Sequence, residues 1–216
     1  MSLYSLTTGK TLDGANVLQQ GHIEGNILEA LKRYSKARPR PLVADIAGDG
    51  GHDYALPAGW SLGLSVLESA EYPTGNLPET LIDKEEVKLY NTPAGTMLRF
   101  YLVTPKVGET IRICFTGLHT EATVPEADLE AVANLAASLC CRQLAQRYAG
   151  TSDSTIGADV VSYRSKGDEF ARRAKELQGL FDNAIGIQDG DTAPPAMATV
   201  EPPAERRRGL WGRGRG

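Results

Sequence analysis

Four side chains able to hold a cation or move a proton fall within nine residues of the segment ADIAGDGGHDY: Asp45, Asp49, His52 and Asp53. Carboxylate oxygens and an imidazole at this density suit a divalent metal. Their spacing matches no calcium loop of the D-x-[DN]-x-[DN]-G type, and the chain has no second His-rich segment. The plainer expectation is a Gly/Asp turn leading into a β-domain. His119 and Glu121, in GLHTEAT, are a conceivable acid–base pair, but no nucleophile in a setting such as GxSxG accompanies them. A solvated connector is expected there, and His22 adds nothing. The glycines of GDGG and GWSLG fit neither a phosphate loop nor a dinucleotide fingerprint. The expectation is therefore no catalytic residues, no metal and no cofactor.

A different chemistry closes the chain. AERRRGLWGRGRG packs Arg206, Arg207, Arg208, Arg213 and Arg215 around Leu210 and Trp211. Against Glu201 and Glu205 those arginines make residues 201–216 +3, so a total of −4 leaves −7 on the other 200 residues. An acidic body argues against a broad nucleic-acid face, and the tail is the one strongly basic segment. Arg/Gly segments also bind nucleic acid through phosphates and stacking, which would give affinity falling steeply with salt. The Leu210–Trp211 plug favours protein docking instead, because Trp and Arg are enriched at interface hot spots.

The elements that must carry these residues follow from periodicity. Residues 1–21 are polar and Gly/Thr-rich, and read as a flexible arm. In 22–41, Ile23, Ile27, Leu28, Leu31 and Tyr34 recur at helical spacing until Pro39 and Pro41 stop the helix. From 42 to 122 the period becomes two. Runs at WSLGLSV, MLRFYLVT and TIRICFT, separated by YPTGNLP, NTPAG and PKVGE, predict an antiparallel β-domain of four or five strands with one wet face. Residues 123–186 return to helix. One begins near Pro125 with Glu126, Asp128 and Glu130 in its opening turns and ends at Gly150, with a stripe of Leu129, Val132, Ala136, Leu139 and Leu144. A second spans about 162–184 with Phe170, Ala174, Leu177 and Phe181 inward, and Asp168 facing Arg172. Equal lengths and a short polar linker suit an antiparallel hairpin. Residues 187–216 form an extended Pro-rich linker of roughly 3 Å per residue and the Arg/Trp tail. The fold class is α+β: a long helical hairpin and a short N-terminal helix, an inserted small antiparallel β-domain and an extended C-terminal tail.

Only 6% of the residues are aromatic, so aliphatic and alanine packing must supply the core. Cys114, Cys140 and Cys141 show no CxxC or finger spacing and read as buried thiols in a reducing compartment. The first 20 residues lack a signal-peptide pattern, and no apolar run approaches the roughly 18–20 residues that span a bilayer. A soluble protein made in a host cytoplasm is expected.

Residues 127–186 resemble the helical hairpin of tailed-bacteriophage head-to-tail connector proteins, the adaptor or neck proteins docked under the portal. The shared elements are Asp153 to Asp159, Val161, Tyr163, Ser165 to Gly167, Glu169, Phe170, Ala174, Glu176 and Leu177. Residues 55–100 are similar to the β-region of larger phage neck proteins, so the resemblance covers roughly 22–186. Minimal adaptors are mainly helical bundles, and the β-domain departs from them; adaptor and other neck component both stay open. The resemblance implies a structural virion protein. It would form a homo-oligomeric ring, commonly of twelve, with the portal and other neck or tail proteins as partners. Genomic DNA would pass through its channel without sequence-specific binding. It further implies that the C-terminal extension reaches the portal, which makes Arg206, Arg207, Arg208, Leu210, Trp211, Arg213 and Arg215 the docking residues. The small-residue faces of the long helices would meet the neighbouring subunits. The rival readings are a nucleic-acid-binding protein acting through its Arg/Gly tail and a metal-dependent enzyme at Asp45, Asp49, His52 and Asp53.

Overall fold

A computed structural model describes residues 2–150 and 159–187. They form an α+β fold of four α-helices and two small antiparallel sheets. The N-terminal residues expected as an arm instead make helix α1, Leu3–Thr11. Ser2 caps it by accepting from the Ser5 amide at 3.2 Å, and the Glu121 carboxylate accepts from the Leu3 amide at 2.6 Å. Its buried face is Leu3, Thr7 and Thr11, one residue per turn. Two threonines hid that face from a search for apolar periodicity.

Helix α2, Gln20–Ala37, ends just ahead of Pro39 and buries Ile23, Ile27, Ala30, Leu31 and Tyr34. Leu28, expected on the same stripe, is 60% exposed. Strand β1 begins at Arg40, so Pro41 lies within an edge strand, where the missing N–H costs little.

The β-domain has seven strands, more than expected, in two sheets. The first has the order β1–β7–β3–β4, from Arg40–Ala47, Thr110–Gly117, Leu67–Glu71 and Leu81–Ile82. The second has the order β2–β6–β5, from Asp53–Ala55, Gly95–Phe100 and Val87–Thr92. Ile111, Ile113 and Phe115 of β7 are buried as their alternation requires, and they share one core with Tyr54, Leu98 and Phe100 of the second sheet. Two expectations fail here. WSLGLSV is not a strand but a pair of turns in which Ser61 and Ser65 bond each other and Gly63 takes φ +82°. MLRFYLVT is a strand only to Phe100, and Leu102 beyond it is 76% exposed. Alternating Ser, Gly and Leu mimicked a strand, while the Gly63 backbone conformation belongs to a turn.

Helices α3, Glu126–Gly150, and α4, Asp159–Ile185, complete the layer. At 1.5 Å per residue they are roughly 38 and 40 Å long. Their contacts run in opposite order: Arg38 links Asp128 to Ala184, Ser138 donates to the Ala174 carbonyl, and Tyr148 stacks on Phe170. Helix α3 is not striped as expected. Residues 131–138 are all buried, because α1 and α2 cover one side and α4 the other. Ala131, Ala133, Ala136 and Ala137, among the small residues expected to meet neighbouring subunits, are thus consumed inside the chain.

Candidate functional site

The local geometry of Asp45, Asp49, His52 and Asp53 does not gather them. Register pairs Asp45 on β1 with Arg112 on β7, and two bonds of 2.8 and 2.9 Å hold them. Asp53 on β2 faces Arg99 on β6 through two bonds of 2.5 Å. Both carboxylates lie below their ordinary range because these guanidiniums donate to them. Arg99 also covers the Tyr90 ring, 3.3 Å from its centroid. Asp49 accepts from the Gly51 amide at 2.8 Å, closing the turn. The His52 Nδ1–H donates to the Phe100 carbonyl at 2.9 Å. Each of the four side chains bonds a different protein group. Among the described residues no three His, Cys, Asp or Glu side chains converge as metal ligands.

His119 and Glu121 sit on the connector from β7 to α3, but they serve the backbone. His119 Nδ1 bonds the Thr123 carbonyl at 2.9 Å, its amide donates to Ser35, and its ring meets Tyr34 edge-on at 5.1 Å. Glu121 holds the start of α1. His22 is exposed near the start of α2. Cys140 and Cys141 are buried free thiols, and burial raises both, Cys141 to about 11. Cys114 is only half-buried. The docking residues Arg206, Arg207, Arg208, Leu210, Trp211, Arg213 and Arg215 lie outside the described residues.

What the sequence reading missed is where apolar surface stays in water. Of thirteen large apolar side chains exposed among the described residues, ten belong to the β-domain. Several crown its turns: Leu62 at 64%, Leu77 at 96% and Val107 at 78%. Others, Val43 and Leu89, stand on the edge strands β1 and β5. Among the described side chains, the helical layer leaves only Leu12, Leu28 and Leu180 so exposed. Single exposed leucines are ordinary; what stands out is their concentration in one part of the chain. The turn glycines and the failed strand WSLGLSV were the available signal.

A second feature is an open groove of about 670 Å³ between α1, α2 and residues 118–121. Tyr4, Ile27, Leu28, Leu31 and Leu118 give it an apolar lining, with Glu24, Lys32 and Glu121 also facing it. No helix among the described residues is long and apolar enough to cross a membrane.

No known family model matches the chain. No curated protein matches it. Among solved structures, it is similar to a chain from the neck of a native GTA particle computed with C12 symmetry: 15% identity over 78% of this chain and 89% of that one, TM-score 0.29. It is also similar to a chain from the neck of an empty GTA particle computed with C6 symmetry: 15% identity over 71% and 79%, TM-score 0.28.

Proposed function

We propose that the chain is a structural, non-catalytic subunit of the neck of a tailed phage or phage-like particle. On this reading copies close into a ring between portal and tail, with DNA passing through the centre. The supporting observation is the segregation of exposed apolar side chains onto the turns and edges of the β-domain. Such a surface is stable in water only at a cost, and a heterologous contact that repeats around an axis removes it. The helical hairpin then acts as a frame, since Ala131, Ala133, Ala136, Ala137 and Ala174 are spent on internal packing. On this reading the subunit contacts fall on the β-domain instead of on the long helices. The resemblance of residues 55–100 and 127–186 to connector proteins supports the same reading.

The tail, Arg206 to Arg208 with Leu210, Trp211, Arg213 and Arg215, is the proposed grip on the portal. The test is co-sedimentation of the purified chain with its portal, with and without residues 188–216. Expected is loss of association with an unchanged circular dichroism spectrum and melting temperature. A truncated chain that binds portal as tightly as the full chain refutes the docking role. Tail-dependent DNA affinity that collapses with salt would instead support the nucleic-acid reading. Trp211→Ala alone is expected to weaken portal binding by about 30-fold, the scale of one hot-spot residue.

A further inference from the structure

The groove beside α2 and the charged tail belong to one chain, and a series of side-chain contacts links the end of α4 to the groove wall. Arg38, one residue past α2, donates to the Ala184 carbonyl near the end of α4 and to Asp128. Asp128 accepts from the Tyr34 hydroxyl, and the Tyr34 ring meets His119 at the groove wall. Ile187, the last described residue, packs on the same core as Tyr4 of the groove lining. Twenty-nine residues follow it, carrying Leu210 and Trp211 among five arginines.

We propose that in the subunit free of portal, Leu210 and Trp211 of the same chain occupy this groove. Its volume falls within the range that encloses a small organic ligand, enough for an indole and an isobutyl group. Leu28 supplies exposed apolar floor, and Glu24 and Glu121 outnumber Lys32 in the groove lining, a balance that suits a segment flanked by arginines. The intervening residues 188–209 reach roughly 60 Å when extended, so length does not limit the contact. Tethering makes it intramolecular, at an effective concentration on the order of millimolar. The consequence rests on the docking reading: the portal would have to displace the tail from the groove, so Trp211 is not left in water before assembly.

The test uses the full chain with both tryptophans replaced biosynthetically by 5-fluorotryptophan and read by fluorine NMR, with no portal present. The signal lost in Trp211→Phe identifies Trp211. Expected is a Trp211 signal displaced from the position of the free amino acid and independent of protein concentration. Leu28→Glu should return it to the free position without moving the Trp60 signal. A Trp211 signal at the free position, or one indifferent to Leu28→Glu, overturns the proposal. A displacement that appears only as concentration rises overturns it too, because the groove then belongs to another copy. Should Leu28→Glu disturb Trp60, the methyl resonances of Leu28 and Ile27 decide. They must shift when residues 204–216 are removed, and unshifted methyls overturn the proposal. Since no portal is in the sample, a free tail leaves the docking reading standing.

Discussion

Asp128 binds three parts of the helical layer together. It accepts from the Tyr34 hydroxyl at 2.6 Å and from Arg38 at 2.8 and 2.9 Å, and Arg38 reaches on to α4. Asp128→Ala leaves a hydroxyl and a guanidinium without their acceptor. Arg38 keeps a third of its side chain in solvent, so the expected loss is about 2 kcal/mol, below that of a fully buried pair. A lower urea midpoint at unchanged slope would show it. Burial, then the Asp128 bond, raises the Tyr34 hydroxyl well above its ordinary value of 10.0. The folded chain therefore keeps this proton where the unfolded chain has lost it, and stability falls as pH rises above about 10. Tyr34→Phe should make that alkaline decline shallower, and a decline as steep as the parent's would contradict the assignment. Tyr54 and Tyr72 are raised too, so the decline will not vanish. Thiol accessibility gives another check: iodoacetamide at neutral pH should label Cys114 in the native chain and reach Cys140 and Cys141 only on unfolding. Peptide mass mapping reads this directly, and early labelling of Cys141 would contradict its burial. At this scale the sequence showed Asp128 only as an acid in a first turn. Its partners lie 90 and 94 residues away, and no local pattern announces such a pairing. The pairings of Asp45 and Asp53 were equally hidden, because strand register decides them.

Elements were legible where one physical rule governed them. Strand β7 alternates because one face is core, and α2 stops because Pro39 follows. Helix α1 escaped because Thr7 and Thr11 fill its buried face. Its importance is testable through Leu3, which is fully buried against α2 and α3 residues. Leu3→Ala should cost about 3 kcal/mol in denaturant unfolding. A change within about 0.5 kcal/mol, the scale of a surface substitution, would mean that α1 is not docked. Glycines separate tight elements from open ones. A Cβ at Gly48 would collide with the Lys106 carbonyl oxygen, whereas one at Gly9 in α1 would meet nothing within 4 Å. Gly48→Ala is expected to destabilise by about 2 kcal/mol, and Gly9→Ala to stabilise by about 0.5–1 kcal/mol through helix propensity. The turn at 60–66 misled for the opposite reason to α1. Its leucines and valine alternate like those of a strand, yet Leu62 and Val66 point to solvent, so alternation alone did not mean pairing.

For the whole molecule, α+β class, the β-insert and two long helices could be read ahead, while the all-round burial of residues 131–138 of α3 could not. That burial depends on α1, and on the proposed reading the subunit contact falls on the turns and edges of the β-domain instead of on the alanine-rich helices. On the proposed reading, the exposed leucines at 62 and 77 lie where copies meet. Replacing both with serine should leave the monomer's melting temperature within about 2 °C, since exposed sites contribute little, and should still reduce ring formation. The most direct measurement of the account is native mass spectrometry of the full chain mixed with its portal, followed by imaging of the complex. The account predicts a closed ring of this chain seated on the portal, absent when residues 188–216 are removed. A chain that stays monomeric beside intact portal, or that forms the same complex without those residues, would contradict it.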